Sequence, residues 1–297
     1  MQRFDLHMHT TYCDGNDSAE DMIKTAAGLG LETVGLSGHS FTPFDQSYCM
    51  SRRGTEEYIA EVRELRQKYA GKIRVLTGLE LDYYADTDTA PYDYLIGSVH
   101  YMFTEEGRRK YEALPAQNER EQYDRSAPEL LVKFKDWCPV DDGAEELTRF
   151  AREQGISLIE EAELYYGTVA GVIGKTDCDI IGHFDLITKF NEQDGTGCLI
   201  DTSDPRYTDA WKSAVDRIFD ECRERYRNGY RNRLETAGLL EAGDRPVFEI
   251  NYGAIAKGYR SEPYPAKDQA GYIRSKGGIL ICSSDAHKTD HIAYWKR

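Results

Sequence analysis

The sequence predicts an α/β fold, a seven-stranded β/α barrel whose functional groups gather at the C-terminal ends of the strands. Three observations predict it. Short apolar runs alternate with stretches of helical periodicity, the pattern of parallel strands joined by helical crossovers. Seven runs can be counted, centred on residues 4–8, 33–37, 74–80, 94–99, 179–182, 247–251 and 279–283. Six of the seven histidines stand at or just past the end of such a run, where a parallel barrel collects its active-site residues. An open doubly wound sheet would gather its ligands at one switch point, which suits a spread over this many strands less well.

Between the strands, Ser18 to Leu29 reads as a helix with a Ser cap and an acidic first turn, and Thr55 to Tyr69 repeats that arrangement before Ala70-Gly71. The interval from Tyr101 to Cys178 shows helical patterns at Ala144 to Glu153 and Leu158 to Ile173 and no strand pair. Its polar part, from Thr104 to Asp142, reads as an insertion over the barrel mouth, where long loops serve binding. Gln193 to Tyr207 reads as a loop, and Asp209 to Leu240 as one long helix or a pair broken at Asn228-Gly229. The 297 residues exceed the usual domain size, but α/β barrels of about 250 residues form one domain. The expectation is therefore a single domain over residues 1–297.

A net charge of -15 argues against a nucleic-acid binder, because phosphate backbones are held by clustered Lys and Arg. A small substrate fits better. With 40% apolar and 30% charged residues the composition is that of a soluble globular protein, and no segment approaches the roughly 20 apolar residues that span a bilayer. The start, MQRFDLHMHT, enters a strand without the apolar stretch of a signal peptide, so the chain reads as cytoplasmic. Seven cysteines, odd in number and without a CxxC pair, read as reduced thiols, with Cys13 packing near the first histidines.

The histidines carry the chemistry. His7 and His9 are two apart on a strand, so both imidazoles face one side and can hold one metal. Asp14 follows at a Gly turn, and Asp285 and His287 repeat the same spacing after the last strand. Glu80 ends the third run, and His39, His100 and His183 each follow a Gly-containing strand end. His291, in a polar segment without a strand, reads as a surface residue. Imidazole and carboxylate together suit zinc, iron or manganese.

Seven segments, LHMHTTYCDG, LSGHS, GLELDY, YLIGSVHY, DIIGHFDLITKFN, EINYGAIAKGYRSEPYP and SSDAH, span nearly the whole chain. Through them the sequence resembles the PHP (polymerase and histidinol phosphatase) superfamily, in its histidinol-phosphate phosphatase branch. The resemblance implies a distorted seven-stranded (β/α)7 barrel with two or three divalent metal ions. It implies that His7, His9, Glu80 and Asp285 hold one ion, that Glu80 bridges to a second held by His100 and His183, and that Asp14, His39 and His287 hold a third. The implied reaction is hydrolysis of L-histidinol phosphate, a step of histidine biosynthesis, by in-line attack of a metal-bridging hydroxide on phosphorus. Asp14 and His39 are the candidate proton donors. Arg260, Lys257 and Lys189 are candidates for the phosphate, as are Arg52 and Arg53; Tyr252 and Tyr101 are candidates for the substrate imidazole, and Asn251 turns inward beside the ligands. The alternatives are a phosphoesterase acting on another small phosphate or short nucleotide, and a noncatalytic metal-stabilised module.

Overall fold

A computed structural model describes residues 2–112, 136–192 and 199–296. Seven parallel strands form the sheet: β1 (Phe4–Asp5), β2 (Thr33–Leu36), β3 (Arg74–Asp82), β4 (Tyr94–Ser98), β7 (Ile180–Ile181), β8 (Val247–Asn251) and β9 (Ile279–Ser283), hydrogen-bonded in that order. Beyond β1 and β9 the chain pairs again at Met8 and Ala286. There the His9 amide donates to the Ala286 carbonyl at 2.9 Å and the Ala286 amide to the His7 carbonyl at 3.2 Å. The sheet is thereby nearly closed into a barrel, with its first and last strands side by side at the end that carries the histidines.

Alternation along the strands sorts the side chains. Leu76, Tyr94, Ile96, Ile180, Val247 and Ile281 join Leu6 in one apolar cluster, while Val34, Leu79, Leu95, Ile181 and Phe248 join the larger cluster shared with the helices. Glu80 and Asp82 follow Leu76 at even spacing on β3, so the face that is apolar at the bottom of the barrel turns polar at its top. Tyr94 fills the interior next to Gly35 and Gly78, where any Cβ would overlap its ring, and its hydroxyl donates to the Leu6 carbonyl at 2.5 Å.

Helices wrap the sheet. Among them, α1 (Ala19–Gly28) is capped by Ser18, whose hydroxyl accepts from the Asp21 amide. Next, α2 (Arg52–Lys68) starts a turn earlier than Thr55 because the cap is Ser51, with Thr55 instead donating to the Ser51 carbonyl. Further along are α3 (Glu105–Glu112), α4 (Ala144–Gln154), α5 (Leu158–Val169) and α6 (Val172–Thr176), so the helix expected over 158–173 breaks at Ala170-Gly171. A long α7 (Pro205–Arg227) and a short α8 (Arg233–Thr236) are parted at Asn228-Gly229, where Gly229 takes a φ of 94°. None of the described helices is long and apolar enough to cross a membrane.

Two expectations are corrected. The interval after Tyr101 does hold a strand pair, β5 (Tyr101–Phe103) antiparallel to β6 (Trp137–Pro139). These are three-residue strands distant in sequence, so no hairpin turn signals them; Phe44 packs on Tyr101 at 4.8 Å and on Trp137 at 5.3 Å to hold them. His291 is buried rather than on the surface, because the short 3-10 turn Thr289–His291 folds back against the molecule. Much of the insertion expected at 104–142 and part of the loop expected at 193–207 lie outside the described residues. The described C-terminal end of the first reaches the barrel mouth, with Pro139, Asp141 and Asp142 on the cavity wall.

A candidate metal centre at the barrel mouth

Each of the seven strands delivers a polar side chain to the same end: His7 and His9 after β1, His39 after β2, Glu80 on β3, His100 after β4, His183 after β7, Glu249 on β8, and Asp285 and His287 after β9. Glu80 stands at the centre. Its Oε2 lies 3.1 Å from His7 Nε2, 3.4 Å from His9 Nε2 and 3.0 Å from His39 Nδ1. Its Oε1 lies 3.2 Å from His100 Nε2 and 2.8 Å from His183 Nε2, and accepts from Ser98 Oγ at 2.7 Å. One carboxylate thus faces five imidazoles, three on one oxygen and two on the other.

Asp285 adds a second carboxylate, its Oδ1 3.2 Å from His9 Nε2 and 3.7 Å from His7 Nε2. It adopts a left-handed φ of 48°, which Asp tolerates better than most residues, and Gly253 leaves room for it, since a Cβ there would come 2.6 Å from Oδ2. Asp14 forms a third cluster, with Oδ2 3.0 Å from His287 Nε2 and Oδ1 3.6 Å from His39 Nε2 and 3.7 Å from His9 Nδ1. Its turn depends on Gly15, whose amide donates to the Thr10 carbonyl and whose missing Cβ leaves space against the Thr10 backbone. Among the described residues, three groups of side chains meet the spacing of a shared cation: His7, His9 and Asp285; His39, Glu80 and His100; and His9, Asp14, His39 and His287.

These groups fit divalent metals on two grounds. His7 Nε2, His9 Nε2 and Glu80 Oε2 are buried and have no hydrogen-bond partner, which costs free energy unless a cation lies between their lone pairs. Their separations of 3.1 and 3.4 Å also match what two ligand bonds of about 2.1 Å subtend at angles between about 90° and 109°. Protonation agrees. Burial would raise the Glu80 carboxyl, but His39, His7 and His100 outweigh it and hold it well below the ordinary range. Burial would likewise raise Asp14 and Asp285, but neighbouring histidines, joined at Asp285 by Lys257, outweigh it and hold both carboxyls below the ordinary range. His39 is pushed down to about 3, chiefly by burial, and His9 is lowered by burial and by His287. Burial lowers His7 and His100 too, yet the carboxylates beside them raise both well above the ordinary value, so cation binding there displaces protons. Asp14 is therefore ionised and His39 neutral near pH 7, which suits ligands and disfavours both as the proton donors the sequence suggested.

The cavity above these residues holds about 230 Å³ and is lined in part by Asp45, Tyr48, Tyr101, Asp141, Asp142, Lys189 and Lys257. Lys257 Nζ stands 3.3 Å from His287 Nε2, and Lys189 Nζ donates to the Asp141 carbonyl at 2.8 Å. The other substrate candidates lie elsewhere. Arg260 is buried against Asp185 at 3.1 Å and Thr188 at 2.9 Å and stacks on Tyr264, so its charge is already committed. Tyr252 turns towards Trp295, Arg52 covers Phe41 and Arg53 pairs with Glu57. Asn251 does turn inward, but behind Asp285, to which its Nδ2 comes within 3.3 Å. Cys13 lies beside His9, its Sγ 3.6 Å from Nδ1, with the thiol pushed up to about 12 by burial and by Asp14, so it remains a neutral packing group.

Two site residues escaped the sequence reading. Glu249 Oε2 accepts from His7 Nδ1 at 2.8 Å, and Asp82 Oδ2 lies 3.3 Å from His100 Nδ1 and accepts the His100 amide at 3.0 Å. The signal was present: Asp82 is two residues past Glu80 and Glu249 two before Asn251, the same-face spacing that singled out His7 and His9.

Comparison with known proteins gives the family and the fold. The PHP domain family matches residues 5–229, and the chain belongs to that family. It is similar to a Deinococcus radiodurans protein named "Probable histidinol-phosphatase", 24% identical over 98% of this chain and 88% of that one. A Bacillus subtilis histidinol-phosphatase is 34% identical over 35% of this chain and 46% of its own. Among solved structures, a histidinol phosphatase candidate from Listeria monocytogenes superposes with a TM-score of 0.68 at 16% identity, covering 98% of this chain and 97% of its own. Histidinol phosphate phosphatase from Lactococcus lactis, solved with zinc, L-histidinol and phosphate, gives 0.56 at 17% identity, covering 97% and 87%. Both share the fold.

Proposed function

We propose that this chain is a metal-dependent phosphatase that hydrolyses L-histidinol phosphate to L-histidinol and phosphate, as a step of histidine biosynthesis. The observation that carries the reading is Glu80, whose two buried oxygens face imidazoles on both sides at 2.8 to 3.4 Å. Support for the substrate comes from the curated relatives' names and from the ligands of the Lactococcus lactis neighbour.

His7, His9, Asp285 and Glu80 would hold one ion, Glu80, His100 and His183 a second, and Asp14, His39 and His287 a third. Bound there, divalent ions neutralise phosphoryl oxygens and make hydroxide available near neutral pH. The chain's own groups divide the remaining work. Lys257 Nζ, beside His287, is placed to hold a phosphate oxygen. Asp45, Asp141 and Asp142 line the wall with Tyr48 and Tyr101, a surface suited to the cationic amine and flat imidazole of histidinol. Lys189, tied to Asp141, keeps that wall in place.

Steady-state kinetics on L-histidinol phosphate beside a panel of other small monoesters, with zinc, iron or manganese loaded, test the reading. Preference for L-histidinol phosphate is expected in kcat/KM. Equal or higher values on an unrelated monoester or a short nucleotide would overturn the substrate, and no phosphate release from any of them would overturn the activity.

A further inference from the structure

Strand β8 delivers none of the expected ligands, yet Glu249 on it is buried at the centre of four donors. Its Oε2 accepts from His7 Nδ1 at 2.8 Å and Ser283 Oγ at 2.5 Å. Its Oε1 accepts from the His183 amide at 2.6 Å and Asn251 Nδ2 at 2.8 Å. Ser283 Oγ, the His183 amide and Asn251 Nδ2 already donate to this carboxylate, which suits it to accept from His7 as well, with the His7 proton on Nδ1. The nitrogen left for a cation is then Nε2, 3.1 Å from Glu80 Oε2. The same carboxylate fixes the backbone of His183, whose Nε2 faces Glu80 Oε1 at 2.8 Å.

Resting on the reading of this site as a metal centre, we propose that Glu249 is a positioning residue that sets both ion positions flanking Glu80. It locks the His7 tautomer on one side and anchors the His183 main chain on the other. Asp82 differs in reach, because among the candidate ligands it holds His100 and no other, its second oxygen accepting from the Tyr84 amide. Histidine ligands are commonly held in this way by a carboxylate on the nitrogen away from the metal, and loss of such a partner costs about 10–100-fold in metal affinity.

Glu249→Gln separates positioning from mere cross-linking. The amide keeps the size of the carboxylate but must turn its NH2 towards one pair of donors; facing His7, it forces the proton onto Nε2 and removes the lone pair. Metal-free wild type and Glu249→Gln would be titrated with zinc against a chelating dye, with circular dichroism checking the fold. Zinc affinity is expected to fall about 10–100-fold in the folded variant, and unchanged affinity would overturn the proposal. A second measurement needs no stable variant: nitrogen-15 NMR of the zinc-loaded wild type reads the His7 tautomer directly. A proton on Nδ1 is expected, and a proton on Nε2 with none on Nδ1 would overturn it. Neither readout uses catalysis, so a wild type that binds zinc without hydrolysing histidinol phosphate would sink the proposed function while leaving this inference decided on its own terms.

Discussion

At the scale of single residues, the site is a problem of buried lone pairs. His7 Nε2, His9 Nε2 and Glu80 Oε2 converge without hydrogen-bond partners, and Asp285 completes the group at 3.2 Å from His9. His9→Ala and Asp285→Asn each remove one member. The second keeps a residue that tolerates the positive φ at this position, so the barrel should stay folded. Both variants are expected to lose bound metal, measured by elemental analysis, and to lose turnover by more than the about 100-fold that an indirect supporting partner costs. Wild-type metal content and rate in both would contradict the ligand set. Eight of the nine candidate ligands could be picked out because each sits at or just past a strand end that hydrophobicity marks, and Asp14 because it follows the first of them at a Gly turn. Arg260 was misread because its partner, Asp185, lies on a different loop and only the fold brings the two together. Glu249 was passed over because its strand was read by its apolar residues, while its same-face spacing with Asn251 shows a polar position without showing which histidine it meets.

At the scale of elements, the strands were more legible than what joins them. Runs such as Val247–Asn251 and Ile279–Ser283 were readable to the residue because each is a short apolar-rich run set off by breakers, Pro246 before the first and Gly277-Gly278 before the second. The start of α2 was not, since Ser51 and Thr55 are both acceptable caps and only packing chooses. The β5–β6 pair was invisible because its stability is aromatic and tertiary. Beneath it, α5 buries Glu161, whose Oε2 has no partner and whose nearest polar neighbour across the pair is Cys138 Sγ, 4.0 Å from Oε1. Burial pushes this carboxyl up from 4.5 to about 8, against a smaller pull from Arg149. The folded chain therefore holds a proton that the unfolded chain has released, and stability falls as pH rises from about 4.5 to about 8. Urea unfolding of wild type and Glu161→Gln across that range should show the variant gaining steadily with pH, to an advantage on the order of a few kcal/mol. Parallel curves would show that the group is not the source.

At the scale of the whole molecule, closing the sheet between Met8 and Ala286 brings the two ends of the chain's ligand series together. The seven strand ends then enclose a cavity whose wall carries six carboxylates, Asp14, Asp45, Glu80, Asp141, Asp142 and Asp285, against two lysines. Such a wall repels a phosphate dianion, in keeping with the chain's net charge of -15. Multivalent cations reverse that sign locally and turn the same cavity into a phosphate site. The account therefore stands or falls on metal dependence. The most direct test strips the purified protein with a chelator, assays phosphate release from L-histidinol phosphate, and repeats the assay after zinc, iron or manganese is restored. Turnover should vanish with the metal and return with it, whereas full activity in the verified metal-free protein would contradict the central claim.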